Sequence, residues 1–292
     1  MYSRVRRCFK LIAFMQWIQS FSTPALDQFF LLITNLANEM LFVFCVVILY
    51  WCVSKEKGLL LVCSLVFSIF INIDLKHIWK EPRPFSYSDI IQKDLNTSYG
   101  YSFPSGHSQM TASFFTSLWL QFPSRILLIF GIVMTLLIGF SRIYLGVHTP
   151  LDVFCGILIG IFLIIAVQLL MNKILCNKKY WMLYLFLIPG LLGIVLTDDP
   201  DILKVAPLFL GFLLGFSLEQ KFLDFQVKAK LSEQIRKVTS GILILVFIQF
   251  GLKLIGDFFW LNLIRYFLTG FAITFICPYL FQRFKKIRVS KN

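Results

Sequence analysis

Apolar stretches long enough to cross a bilayer recur from residue 29 to residue 281, and they constrain the fold more than any other feature of the chain. A spanning helix needs roughly 20 mostly apolar residues. Its backbone must be satisfied within the segment, which an open sheet in lipid cannot achieve. Nine spans are predicted, at 29–51, 59–79, 105–121, 125–145, 150–171, 181–197, 203–218, 239–257 and 262–281. The expected fold is all-α, a polytopic transmembrane helix bundle of about nine spans. Composition agrees, since 58% of the 292 residues are hydrophobic and only 15% charged, against about a quarter charged in soluble domains. No repeat, low-complexity segment or Gly/Ser linker points to a separate soluble domain.

Cys8–Phe21 is a shorter apolar stretch, roughly 21 Å long as a helix, which falls short of the hydrocarbon core. Arg4, Arg6, Arg7 and Lys10 precede or open it in the manner of a signal peptide, but no small-x-small cleavage site follows and Pro24 lies close by. An interfacial helix carrying Trp17 is expected, with a full crossing as the alternative.

The formal net charge is +13. Lys and Arg fall between the apolar runs rather than along one face, so the expected partners are the bilayer and an anionic lipid, not nucleic acid. Alternating the spans between sides A and B places Lys55, Lys57, Arg125, the clusters at 173–179 and 221–237 and the tail from Arg283 to Lys291 on side B. Glu81, Asp89, Asp94, Asp198, Asp199 and Asp201 fall on side A. Positive charge collects on the cytoplasmic side, so side A is read as outward. The basic N-terminus fits this only if residues 8–26 cross. Seven cysteines (Cys8, Cys45, Cys52, Cys63, Cys155, Cys176 and Cys277) show no metal-like spacing and read as small buried hydrophobes.

Three short polar stretches interrupt the pattern, and all three fall on side A: Lys76–Pro84, Pro104–His107 and Ser141–Asp152. Lys76, Arg83 and Arg142 are cations at a depth where an unpartnered charge is costly. Arg offers a planar fork that matches phosphate, and Lys a point charge. Ser105 and Gly106 open a helix whose unpaired N–H groups suit an anion. His148 and Asp152 stand four residues apart at a helix start, so the carboxylate can hold one ring nitrogen and leave the other to attack. His107 is positioned across this cradle to protonate a leaving oxygen. Phosphoryl transfer needs mainly positioning and charge stabilisation, so neither cofactor nor metal is expected.

The pattern K-x6-R-P, P-S-G-H and S-R-x5-H-x3-D, carried by Lys76, Arg83, Pro84, Pro104–His107, Ser141, Arg142, His148 and Asp152, resembles the type 2 phosphatidic acid phosphatase superfamily. The resemblance spans roughly residues 60–160. It implies metal-independent hydrolysis of a lipid phosphate through a phosphohistidine at His148, with His107 as general acid and Asp152 as partner of the nucleophile. Lys76, Arg83, Ser105, Gly106 and Arg142 correspond to phosphate ligands. Membrane members act on phosphatidic acid, phosphatidylglycerol phosphate, polyprenyl pyrophosphates such as undecaprenyl pyrophosphate, sphingoid phosphates or lipid A. Three regions are expected: a basic interfacial segment at 1–28, a lipid phosphatase core at 29–175, and a further transmembrane region at 176–292 whose role and oligomeric consequence are open. A bacterial inner membrane, with the site facing outward, is the expected location.

Other readings stand beside these. The same phosphoenzyme could pass its phosphate to an alcohol, making a transferase, and nine spans would also suit a lipid transporter. Thr149 and Asp152 could serve as N-cap and N3 of a helix as well as in catalysis. His77 reads as a boundary residue. Zinc on two histidines and Asp152 is opposed by the surrounding cations. Tyr87, Tyr99, Tyr101 and Phe103 form either a lid or an ordinary aromatic belt.

Overall fold

The computed structural model describes residues 2–95, 98–197 and 199–289. The side chains of Arg4, Arg6, Arg7, Cys8 and the basic tail after Arg283, and all of Asp198, lie outside the described residues. The described residues form helices joined by loops and fall into two compact units. One comprises residues 1–42 and 68–169, the other residues 43–67 and 170–292.

The first unit holds α1 (Tyr2–Gln19), α2 (Pro24–Asn35), the C-terminal part of α4 (Lys55–Trp79), α5 (Gly106–Gln121), α6 (Arg125–Tyr144) and most of α7 (Pro150–Cys176). Proline opens α2 and α7, where its missing N–H costs nothing. The stretch read as one span from residue 29 is two helices, α2 and α3 (Glu39–Ile48). The break falls at Asn38, whose side chain accepts from the Met40 amide at 2.9 Å. Asn38 thus caps the start of α3, three residues after α2 has ended at Asn35.

Close helix packing sets the position of α5. A Cβ on Gly156 of α7 would stand 2.7 Å from the Ser105 carbonyl, and one on Gly160 would stand 2.5 Å from that of Gln109. Small residues four apart let backbones approach closely in a membrane. The interior between α4 and α5 is polar: Asn72 donates to Gln109 Oε1 at 2.8 Å, and Gln109 donates to the Ser68 carbonyl at 2.9 Å. Met15 and Ile18 of α1 are buried in one cluster with Phe30, Ile143, Leu145 and Val147.

The second unit contains the π-helical turn Leu49–Val53 after α3, the start of α4, a 3-10 segment (Tyr180–Leu187) leading into α8 (Ile188–Leu196), and α9 (Ile202–Phe222). α10 (Leu231–Val246) runs through a π turn (Phe247–Gly251) into the short α11 (Leu252–Ile255). α12 (Phe259–Phe271) runs through another π turn (Ala272–Ile276) into α13 (Cys277–Val289). Gly211 and Gly270 bring α9 and α12 backbone to backbone, leaving no room for a Cβ on either. Trp51 donates to the Ile273 carbonyl at 2.7 Å, and Lys55 pairs with the buried Glu219 at 3.1 Å.

Among the described residues, seven helical segments are long and apolar enough to span a membrane. The two shortfalls against the nine predicted spans are α5 and the Tyr180–Leu196 segment. At 16 residues, α5 reaches only about 24 Å. The chain is thus an integral membrane protein of the expected all-α class, with seven full-length candidates rather than nine. The cysteine expectation holds for Cys63 and Cys277, which are buried; Cys45, Cys52 and Cys155 are half-buried, and Cys176, at the end of α7, is exposed.

Candidate functional site

The first unit brings the C-terminal end of α4, the N-terminus of α5, the end of α6 and the start of α7 to one place, and its residues can be built up from the α6–α7 turn. α6 ends at Tyr144, and Gly146 carries a positive φ of 76°. The Ile91 carbonyl presses against the position a Cβ would take there, so glycine is needed twice over. α7 then starts with a reciprocal cap. The Thr149 amide donates to Asp152 Oδ2 at 2.8 Å, and the Asp152 amide donates to Thr149 Oγ1 at 3.2 Å. Capping therefore fixes one carboxylate oxygen beside the preceding residue, His148.

His148 is 2% exposed and lies between α6 and α7, outside both helices. Its Nδ1 stands 3.7 Å from Asp152 Oδ2, beyond hydrogen-bond length. Ser102 fills the interval. Its hydroxyl donates to Asp152 Oδ2 at 2.7 Å and is 3.3 Å from His148 Nδ1. With Ser102 donating to the carboxylate, its oxygen is left to accept an Nδ1–H, and Nε2 then carries the lone pair. Ser102 was not singled out from the sequence.

Arg83 closes the other side. Its Nη1 is 3.4 Å from His148 Nε2 and donates to the Val147 carbonyl at 3.1 Å. Nε and Nη2 donate to the carbonyls of Gly100 and Tyr99 at 3.1 and 2.6 Å. Four contacts thus hold the guanidinium in one orientation over the imidazole. Burial, and then the charges of Arg83, Arg142 and Lys76, keep the His148 pKa well below its usual 6.5.

The Ser105 amide donates to the Asp152 carbonyl at 3.0 Å, tying the start of α5 to α7. The Ser105 side chain is fully buried, its hydroxyl 2.9 Å from that of Ser108. Lys76 Nζ comes within 3.8 Å of the position a Cβ on Gly106 would occupy, so the ammonium lies against the α5 N-terminus. His107 is half-buried in the first turn of α5, where the cations Arg142 and Lys76 act on it.

Arg142 takes a different set of partners. It is fully buried, and Nη1 donates to Asp94 Oδ2 at 2.7 Å and to Thr34 Oγ1 at 2.8 Å. Asp94, expected as one of several acids on side A, is itself buried. Its segment is tied down nearby by Gln19, which donates to the Ile91 carbonyl at 2.8 Å, and by Lys93, which pairs with Asp27 at 2.6 Å. The aromatic residues of this loop are divided. Tyr101 packs edge-on against His77, and Phe103 against Trp79, while Tyr87 and Tyr99 are exposed. His77 hydrogen-bonds the Ile73 carbonyl at 2.9 Å within its own helix.

Residues 57–176 match the PAP2 superfamily, and residues 203–289 match the transmembrane extension of PAP2 superfamily phosphatases. Among curated proteins, an undecaprenyl-diphosphatase from Sulfolobus acidocaldarius is 34% identical over 107 residues, covering 37% of this chain and 52% of that one. A probable sphingosine-1-phosphate phosphatase from Dictyostelium discoideum is 30% identical over 162 residues, covering 51% of this chain and 39% of that one. The chain thus spans about half or less of these relatives' lengths. A crystal structure of LpxE from Aquifex aeolicus is 30% identical, with a TM-score of 0.48 over 53% of this chain and 93% of that one. With the complete three-part motif gathered in one unit and both matched segments of a single superfamily, the chain belongs to the type 2 phosphatidic acid phosphatase (PAP2) superfamily.

Proposed function

We propose that this protein hydrolyses a lipid phosphomonoester or pyrophosphate by two in-line transfers through a phosphohistidine on His148. The observation that carries this reading is the His148 ring itself, with Nδ1 backed by Ser102 and Asp152 and Nε2 facing Arg83. That arrangement leaves one nitrogen oriented and unprotonated beside a cation suited to a phosphate oxygen.

In the first transfer Nε2 attacks phosphorus as the bond to the lipid oxygen, or to the bridging oxygen of a pyrophosphate, breaks. His107 gives its proton to that leaving oxygen. In the second, water attacks the phosphohistidine, its proton passes to His107, and inorganic phosphate leaves with His148 restored. Lys76, Arg83, Arg142, Ser105 and the Gly106 amide hold the charge developing on the phosphoryl oxygens. Relatives named for undecaprenyl diphosphate and sphingosine 1-phosphate support a long-chain lipid as the substrate class. The distribution of Lys and Arg supports a site on the outward face of the membrane.

The test is phosphate release by purified protein in detergent from a panel of lipid mono- and pyrophosphates, with acid-labile, base-stable phosphoprotein trapped on ice. His148→Ala should lose both turnover and the trapped label. Turnover surviving in that variant would exclude the mechanism, and a new phosphoester in place of free phosphate would make the enzyme a transferase.

A further inference from the structure

The second unit buries a cation that no carboxylate among the described residues neutralises. Arg265 lies about 9 Å along α12 from Phe259, in a segment long and apolar enough to cross a bilayer. The residue is 8% exposed, and Nε is buried with no hydrogen-bond partner. The guanidinium sits 5.1 Å over the Tyr266 ring, and among the described residues no carboxylate pairs with it.

Its neighbours along the helix are polar as well. Asn262, three residues earlier, donates to Asp257 at 2.8 Å and leaves Oδ1 buried without a partner. Thr269, four residues later, accepts from Gln249 at 2.7 Å while donating to the Arg265 carbonyl at 2.8 Å. Residues at these spacings share one face. A stripe inside an apolar helix thus offers one unused donor and one unused acceptor, together with a full positive charge.

Arginine at membrane depth is costly unless paired, and its fork suits phosphate. Helical side chains lean toward the N-terminus, so Arg265 reaches back toward the start of α12, away from the middle of the span. A lipid phosphodiester at that level would supply the missing negative charge, and a headgroup hydroxyl would satisfy Asn262 Oδ1. We propose that Arg265 and Asn262 bind the headgroup of an anionic, hydroxyl-bearing phospholipid such as phosphatidylglycerol. This site is built wholly from the second unit and does not depend on the reaction assigned to His148.

Native mass spectrometry of the purified full chain, delipidated and then titrated with phosphatidylglycerol or phosphatidylcholine, tests this. The unaltered protein should retain phosphatidylglycerol preferentially, and Arg265→Gln should lower that preference at least about tenfold. Asn262→Leu leaves the charge in place and guards against misfolding of the arginine variant. It should weaken phosphatidylglycerol but not phosphatidylmethanol, which has the phosphodiester without the hydroxyl. Equal retention of phosphatidylglycerol by Arg265→Gln and the unaltered protein overturns the site. Inorganic phosphate that displaces phosphatidylglycerol at equal concentration would overturn the lipid assignment.

Discussion

Arg142 Nη1 and Asp94 Oδ2 stand 2.7 Å apart with both side chains withdrawn from solvent. The pair joins the end of α6 to a loop residue 48 positions earlier. A buried guanidinium left alone is far less favourable than the pair, and removing one partner typically costs about 3–5 kcal/mol. Asp94→Ala should therefore destabilise the protein by that order and lower kcat/KM, since Arg142 would no longer be held beside the site. Asp94→Asn, which keeps one hydrogen-bond acceptor, should fall between. Thermal unfolding in detergent and steady-state kinetics check both. An Asp94→Ala protein of unaltered stability would mean that Arg142 finds another partner.

Ser102 carries the link between His148 and Asp152, so Ser102→Ala should act on kcat more than on KM. A hydrogen bond to a charged group contributes about 1.5–3 kcal/mol. If that is lost mainly in the transition state, kcat falls about 10- to 150-fold. A general packing defect would instead lower stability and raise KM together. Single-turnover rates at saturating lipid phosphate, measured alongside thermal stability, separate the two.

The residues that could be read from sequence were those whose chemistry is local. The spacing of His148 and Asp152, and Thr149 as a cap, follow from helix geometry, and α5, α6 and α7 start within a residue of where the sequence places them. Asp94 and Ser102 lie in a loop without periodicity. Each is an ordinary polar residue until the chain brings it against a partner 48 or 50 positions away. α5, counted among the nine predicted spans, falls short of one for another reason. Ser108, Gln109, Thr111, Ser113 and Ser117 of α5 face inward and are buried, so this helix meets protein on the side that a lipid-facing span would give to the bilayer. Gly156 and Gly160 were visible as a small-x-x-x-small pair in the sequence, and their spacing could have indicated the α5–α7 contact.

That contact yields a prediction free of any change in charge. Gly156→Val would drive a branched side chain into the Ser105 carbonyl, already 2.7 Å from a bare Cβ. Overpacking of this kind costs about 1–3 kcal/mol, and here the strain would part the start of α5 from α7. Phosphate release should fall sharply, while Gly139→Ala, whose Cβ would meet side-chain rather than backbone atoms, Val153 Cγ1 nearest at 2.8 Å, should be milder. Activity at full membrane expression distinguishes displaced helices from loss of protein.

Protonation of His148 removes the lone pair that attacks phosphorus, so activity should disappear as pH falls through the pKa of this residue. Burial, followed by Arg83, Arg142 and Lys76, sets that pKa well below 6.5, so the acid limb of kcat/KM should lie below 6.5 rather than at it. Stability depends on pH in the same direction. The unfolded chain takes up a proton near pH 6.5 and the folded site resists it, so the unfolded state binds more protons between the two values. Stability is then lost as pH falls below about 6.5 and levels off beneath the folded value. Arg83→Gln removes the cation that stands 3.4 Å from Nε2 and should move the acid limb of kcat/KM upward while lowering its plateau. A profile whose acid limb stays put when Arg83 is neutralised would assign the titration to another group, with His107 the first to be tested by His107→Asn.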